Sequence, residues 1–491
     1  MKKHFPRMFQ VVKQRPVLAL LCLGLFLLLQ CPNGNTSVQA EEVPVPWQPP
    51  IGIPAPEFGI VETVENVYGT GHFTHFVDNT HAEATDDENP NGTLEQPRKT
   101  IPLQLSAGSV VVVQGGPYTF ENPRAIWELA GTREQPVFIR GREKDSPPMI
   151  HGLRIKATGQ FFVIENFEFF RKSTIELNGR HGVLRHCEIH DSQTNPAVLA
   201  SGEEMVIYNC HIHHNLVGKD RDCHGIYATS GAKRIWVVDN HLHHNGGDSF
   251  QAGHRATISP QYLYIGRNRM HDDRENAIDI KIAKDVIISQ NVMSGYYQSS
   301  TSGGEAIRIN DEGPQKNIWI LFNQISNSRW AINPRKCSSP PYIVGNLIYD
   351  CEEAAIKDGA QSIVHNTIFR CGNGIEGGDQ AVNNILCFLD KGVDRNVRDS
   401  RNNLFWHVRN PGPLLQSQAA DPLFVDAENG DFHLQKESPA IQAATQVEVY
   451  DLFQKTYGID ILFDFGGKRP ATKQVNGKRQ RRDLGALEST S

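Results

Sequence analysis

The feature that most restricts the fold of this chain is an internal repeat. The fragments VLRHCEIHDS, VIYNCHIHHN, VVDNHLHHN, YIGRNRMHDD, VIISQNVMSG, WILFNQISNS, YIVGNLIYDC and SIVHNTIFRC each hold a short β-branched run, then Asn or Cys, one variable residue and an aliphatic residue. The Asn/Cys position falls at Cys187, Cys210, Asn240, Asn268, Asn291, Asn323, Asn346 and Asn366, and extends back to Phe167 and forward to Asn384 and Asn403. The successive intervals are 20, 23, 30, 28, 23, 32, 23, 20, 18 and 19 residues. That period accommodates short strands alternating in and out and leaves no room for a crossover helix. A leucine-rich repeat has a comparable period but needs an LxxLxLxxN pattern, which is absent. The repeat therefore predicts an all-β solenoid of stacked parallel strands over residues 161–410. The recurring Asn sits at one bend, where side-chain amides bond from coil to coil.

The repeat also assigns register. Two residues after the Asn/Cys position stand Ile189, Ile212, Leu242 and Met270, which face inward. The residues on either side then face outward. One outward row reads Glu188, His211, His241, Arg269; the other reads His190, His213, His243, His271, then Ser294 and Ser326. Neighbours in such a row sit about 4.8 Å apart, the strand spacing. A zinc site needs ligands converging from several directions at about 2 Å from the metal, whereas parallel side chains converge poorly. The rows are accordingly expected to decorate the scaffold, with His214, His244 and Asp272 at the following bend better placed as ligands.

A second strand follows each bend, aligned on the inward residues Ile226, Phe250, Ile278, Ile307, Ile332 and Ile356. Its outward row reads Tyr227, Gln251, Asp279, Arg308, Asn333, Lys357, and two residues further along lie Thr229, Gly253, Lys281, Asn310, Arg335. This face is polar and varied where a packing face would be uniform. It is entered by DCHGIY and GDSFQAGH, the stretches on either side of HLHHN, and the longest coils lie here. Extra length on one face of a solenoid usually builds binding walls. The acidic residues of the region are Asp220, Asp222, Asp248, Asp272, Asp273, Glu275, Asp279, Glu305, Asp311 and Glu312. Tyr227 and Trp330 offer rings to a sugar, and Gln251, Asp279, Asn310 and Arg335 offer polar contacts.

The chemistry this set suggests is β-elimination on a uronic-acid polymer. That reaction removes a weakly acidic proton next to a carboxylate and needs a base and a positive group. Lys281 is the candidate base, provided neighbouring cations or burial lower its pKa. Arg308, one coil on, is the candidate to hold the substrate carboxylate or protonate the leaving oxygen. A Ca²⁺ held by Asp248, Asp273 and Glu275 is expected to share the neutralising role. Two other classes stay open. One is a non-catalytic glycan-binding or cell-surface protein. The other is a glycoside hydrolase using paired carboxylates, with Asp248 and Asp279 as the pair.

Over about Phe161 to Phe405 the sequence resembles the right-handed parallel β-helix superfamily that includes the pectate lyases. The resemblance implies a single right-handed parallel β-helix with N- and C-terminal capping segments. FVDNTHAEATDDENPNGTLEQPRKTI with AGSVVVVQGGPY resembles the entry module of secreted bacterial β-helix proteins, and FHLQKESPAIQAA with RRDLGALE resembles their closing segment. Locally, DDRENAIDIK followed by EAIRIND resembles the active-site region of the alginate lyase and chondroitinase B family. That likeness implies Glu275 as a Ca²⁺ ligand, Lys281 as base and Arg308 as acid. Ala277 stands where that family has a second carboxylate, and the insertion around Tyr296–Gly304 lengthens the Lys-to-Arg spacing. The WIDH and RxPxxR motifs of pectate lyases and the NTD and GHG motifs of polygalacturonases are absent.

Before the repeat, Lys2, Lys3, Arg7, Lys13 and Arg15 precede an apolar run, Val17–Cys31, too short for an ordinary membrane span. Small Ala40 offers a cleavage point, so residues 1–40 read as a secretory signal peptide. Gln30 is bulky beside Cys31, where a lipid-anchor signal places a small residue. The expected protein is secreted, periplasmic or on the cell surface, with no membrane span in the mature chain. Residues 41–71 read as a Pro-rich linker, 72–160 as an N-terminal cap with the first coils, and 411–491 as a C-terminal cap segment. Of nine cysteines, seven remain after removal of Cys22 and Cys31, an odd number that leaves a thiol unpaired. A net charge of −6 argues against nucleic acid as partner. The expected partner is an acidic polysaccharide, bound by a monomer.

Overall fold

The computed structural model describes residues 46–62, 72–87, 89–119, 124–152, 154–171, 173–216, 221–310, 312–335, 337–469, 474–475, 478–479 and 482–489. The expected signal peptide, and Asp220 and Asp311 of the acidic region, lie outside them. Each strand pairs with the strand at the same place one coil further on. Ile189 opposes Ile212, Ile212 opposes Leu242, and Leu242 opposes Met270. Among the described residues, 37 strands join in this way, and every pairing within that sheet is parallel. A typical coil contributes three short strands, such as His241–His243, Phe250–Ala252 and Gln261–Gly266. The chain is therefore a parallel β-helix, with the register read from the repeat.

The inward rows fill the interior with aliphatic side chains. Ile189, Ile212, Leu242, Met270, Met293 and Ile325 are fully buried, as are Ile226, Phe250, Ile278, Ile307, Ile332 and Ile356. An asparagine ladder runs unbroken from Asn240 to Asn403 along one bend. The Oδ1 of Asn291 accepts from both the N–H and the Nδ2 of Asn268, at 3.0 and 2.9 Å. Its own Nδ2 donates to Ile265 O and to Asn323 Oδ1, both at 3.0 Å. The same four bonds recur coil after coil, so a bend buried beyond the reach of water keeps its polar groups paired. Cys187 and Cys210 fill the slot in earlier coils and donate Sγ–H to Arg185 O and Tyr208 O. All seven described cysteines are free thiols.

A shorter second ladder stands at the next bend. Ser192 N–H donates to Asn215 Oδ1 (2.9 Å), Asn215 Nδ2 to Asn245 Oδ1 (2.8 Å), and Asn245 N–H and Nδ2 to Asp273 Oδ1 (2.7 and 2.8 Å). The residues preceding this ladder, Asp191, His214, His244 and Asp272, have φ of 52, 53, 54 and 55°. Asp and His are among the few side chains that tolerate this left-handed region, which explains their recurrence there.

The proline-rich segment differs from the expected linker. Its described part lies along the outer face of the third strand row as a strap. Trp47 Nε1 donates to Asp239 Oδ2 (2.9 Å), Ile51 N–H to Gln290 Oε1 (2.8 Å), and Trp236 Nε1 to Pro54 O (2.8 Å). Ile53 and Phe58 pack on the outward row that includes Val183, Val206, Trp236 and Tyr264. A proline-rich strand has few backbone donors to satisfy, so it can lie on a sheet face without leaving orphans. Further along the same face the helix Val449–Tyr457 seats Phe453 against Trp319, with ring centroids 4.8 Å apart. The C-terminal segment likewise lines the side of the solenoid. Phe432, Leu434, Leu484 and Leu487 cover Leu347, Phe369, Ile385 and Leu404. It buries an apolar outer row as well as closing the chain.

Candidate binding groove and active site

The polar second strand row holds the residues singled out in the sequence. Leu199 opposes Tyr227, Tyr227 opposes Gln251, Gln251 opposes Asp279, Asp279 opposes Arg308, and Arg308 opposes Asn333. Two clefts open along this row. One, of about 440 Å³, is lined by His224, Tyr227, Gln251, His254 and Lys281, with Arg154 and Asp222 among its walls. The other, of about 410 Å³, is lined by Glu305, Arg308, Trp330, Asn333, Arg335 and Lys357, and walled by the insertion Gln298–Gly303. Asp279 occupies the rung between Gln251 of the first cleft and Arg308 of the second.

Electrostatics single out Asp279. It is 3% exposed. Burial first, and then the charge of Asp248, push its carboxyl up to about 8, against the pull of Lys281 and Arg308. Its Oδ2 lies 3.7 Å from Lys281 Nζ, while Oδ1 has no hydrogen-bond partner among the described residues. Arg308 shares its register on the next coil, yet the two form no ion pair within 4.0 Å, and the buried Nε of Arg308 is also unpartnered. The simple ion ladder that adjacent opposite charges would build is thus not formed. A carboxyl held above the carboxylate range and a guanidinium whose Nε is unpartnered among the described residues stand on neighbouring rungs.

Behind Asp279 lies a buried cluster of His224, Asp248 and Glu275, with ligand atoms all within 4.8 Å of one another. Asp248 is fully buried; Asn276 donates to its Oδ1 from N–H and Nδ2 (3.1 and 2.7 Å), and Gln251 Nε2 donates to its Oδ2 (2.8 Å). His224 Nδ1 sits 3.0 Å from the Asp248 N–H and 3.2 Å from its Oδ2. Burial opposes charge on both groups, and their mutual attraction outweighs it, holding the Asp248 carboxyl low and the His224 imidazole high. Glu275 is pushed up to about 7 by burial and by Asp248.

Several expectations need correction. Lys281 does not meet the condition set for a base. Burial favours losing its proton, but Asp279, and Glu312 at 3.1 Å, outweigh burial and hold the ammonium above its usual range. Lys281 Nζ lies within ion-pair distance of Asp279 and Glu312. Asp273 does not join Asp248 and Glu275. It ends the second ladder, with Oδ1 taken by Asn245 and Oδ2 by the hydroxyls of Ser249 and Tyr296. Its alignment with Asn215 and Asn245 in the HHN and HDD triplets was the sequence signal for that role. The residues present also do not fit Ca²⁺, which takes six to eight oxygens. The cluster supplies one nitrogen and two carboxylates, and the lone pairs of Asp248 are already directed at fixed donors.

The remaining predicted residues divide. Tyr227 is half-buried and donates to His254 O (3.0 Å). Gln251 and Asn310 are buried, and Arg335 is exposed at the rim of the second cleft. The Trp330 ring carries Arg329 at 4.1 Å and Lys357 Nζ at 4.2 Å from its centroid, so it is engaged by cations instead of standing bare for a sugar. His224 was not among the predicted site residues, although the DCHGIY stretch that holds it was singled out. Glu305 is buried in the second cleft, where it accepts from Asn333 Nδ2 at 3.0 Å.

A family described as "right handed beta helix region" matches residues 149–260. No curated protein matches the chain. Among solved structures, pectate lyase Pel9A is similar with a TM-score of 0.43 and 12% identity, covering 87% of this chain and 98% of that one. The lacto-N-biosidase from Eubacterium ramulus gives 0.38 and 14%, with 70% and 67% covered. The alginate lyase from Paenibacillus sp. str. FPU-7 gives 0.35 and 14%, with 65% and 99% covered. The family match falls on the coils that carry the histidine rows and the first rungs of the groove. The chain is a right-handed parallel β-helix.

Proposed function

We propose that this protein binds an acidic polysaccharide along the rungs from Tyr227 to Lys357 and cleaves a glycosidic bond within it. Asp279 gives its proton to the leaving oxygen, and Arg308 holds the carboxylate of the adjoining sugar. The observation that supports this reading is the juxtaposition on one face of a carboxyl held near 8 and a guanidinium whose buried Nε has no hydrogen-bond partner among the described residues. A general acid works best with a pKa near the operating pH. A guanidinium fork matches a carboxylate with two parallel hydrogen bonds. Lys281, 3.1 Å from the Glu312 carboxylate, adds a positive group to the first cleft.

Protonation of the leaving oxygen is common to elimination and hydrolysis. Elimination suits a uronate: Glu275, a carboxyl pushed up to about 7, takes the proton next to the uronate carboxylate, Asp279 gives one to the leaving oxygen, and the cation that anchors the carboxylate stabilises the enolate-like charge formed between. Hydrolysis is the second reading, favoured by the charged state of Lys281, which deprives elimination of the base first assigned to it. Purified protein incubated with alginate, pectate and chondroitin, read by ultraviolet absorbance and reducing ends together, distinguishes the two. Absorbance with new ends indicates elimination, and new ends alone indicate hydrolysis. Tight binding without either, unchanged in Asp279→Asn, would identify a glycan-binding protein and remove the catalytic reading. The export inferred from residues 1–40 supports an extracellular glycan as substrate.

A further inference from the structure

The histidine rows lie on a different strand row from the groove, and the reading above leaves them without a role. Register bears out the ladder: His211 opposes His241, and His213 opposes His243. Rings in the same row stack, His211 on His241 at 4.8 Å and 5° and His213 on His243 at 5.0 Å and 5°. Between rows, however, the rings converge. His211 Nε2 lies 2.8 Å from His243 Nε2, and one coil later His241 Nε2 lies 2.8 Å from His271 Nε2. The ligand atoms of His211, His241 and His243 all fall within 4.8 Å of one another. Parallel rows thus meet on the diagonal.

We propose that His211, His241 and His243 form a surface site for a divalent transition-metal ion, copper(II) in preference to zinc. Three imidazoles are ligands of the borderline class that both ions accept. Metal–nitrogen bonds of about 2.0 Å meeting at right angles, as in a tetragonal copper site, place neighbouring nitrogens about 2.8 Å apart. The His211–His243 separation matches that spacing, whereas zinc's tetrahedron requires it to open by about half an ångström. Two of the three rings have a neighbour facing Nδ1. Glu188 Oε1 lies 3.7 Å from His211 Nδ1, and His244 Nδ1 lies 2.8 Å from His243 Nδ1. Such outer contacts orient metal-binding histidines. The His211 side chain is 41% exposed, so an ion reaches it from solvent. His211 also belongs to a second group with Glu188 and His213, which makes it the pivotal residue.

The test uses the full, untagged chain stripped with chelator and titrated calorimetrically with Cu²⁺ and with Zn²⁺. The expected result is one tight site per chain, with Cu²⁺ bound more tightly. Affinity should fall by about 100-fold or more in His211→Ala and in the double variant His241→Ala/His243→Ala. His190→Ala, on the same face but outside the triad, should bind as the unmodified chain does. Circular dichroism of the metal-free variants checks the fold, and His211→Asn replaces His211→Ala if the latter is disordered. Failure of the unmodified chain to bind either ion overturns the proposal. So does binding that survives loss of the triad, or that is lost only in His224→Ala.

Discussion

Replacing Asp279 by Asn should destroy activity and raise stability. Unfolded, the carboxyl ionises at its ordinary value of 3.8; folded, burial and Asp248 hold it at about 8. Between those pH values folding takes up a proton, so the contribution of Asp279 to stability is complete below pH 4 and is lost as pH rises through 8. At pH 7 the shift spans roughly 3 pH units, which at about 1.4 kcal/mol each is at most about 4 kcal/mol. Asp248 and Glu275 share that charge repulsion, so part of the gain will appear as relief of their own pKa values. The amide keeps the shape and carries no charge. The advantage of Asp279→Asn should therefore be near zero at pH 4, grow with pH and level off above 8. Denaturant unfolding at pH 4, 6 and 8, followed by tryptophan fluorescence, measures it. Loss of the proton donor should lower kcat by roughly 10²–10⁴-fold. A variant that keeps kcat within a few-fold, or whose stability difference is flat across that pH range, would refute the reasoning.

Arg308→Ala should weaken a uronate substrate selectively. Losing a charge-assisted contact of about 1.5–3 kcal/mol lowers kcat/KM by roughly 10–100-fold, with little effect on binding of a neutral glycan, as competition between the two would show. Asn291→Ala should orphan the Asn268 N–H and Ile265 O, which it now satisfies at 3.0 and 3.0 Å. At about 1–3 kcal/mol for each buried group, the loss is about 2–6 kcal/mol. Asn291→Cys should cost less, because Cys187 and Cys210 already serve in that slot; thermal unfolding ranks the three proteins.

The backbone architecture was legible because a solenoid repeats one local solution. Each coil needs an inward aliphatic row, a bend whose amides find partners and a residue tolerant of positive φ, and those needs recur at nearly constant spacing. The groove row was legible for the same reason: Tyr227, Gln251, Asp279, Arg308 and Asn333 follow from counting. The roles within it were less accessible. Asp273 and Asp248 are both buried aspartates, yet one ends a ladder and the other binds His224, a distinction made by which donors each meets. Lys281 as base depends on its neighbours, and Asp279 with Glu312, 31 residues away in sequence, hold the ammonium above its usual range.

The coil, its register and the polar row that lines the two clefts follow from periodicity in the chain, since the alternation of side-chain direction is a property of the backbone alone. The electrostatic setting of each carboxyl and the convergence of the histidines arise on folding. The carboxyl of Asp279 is held above the carboxylate range by what surrounds it in three dimensions, and His211 meets His243 across a diagonal that joins two coils. Charge and ligand geometry depend on distances of a few ångströms between residues remote in the chain, and those distances exist only after the coils have stacked.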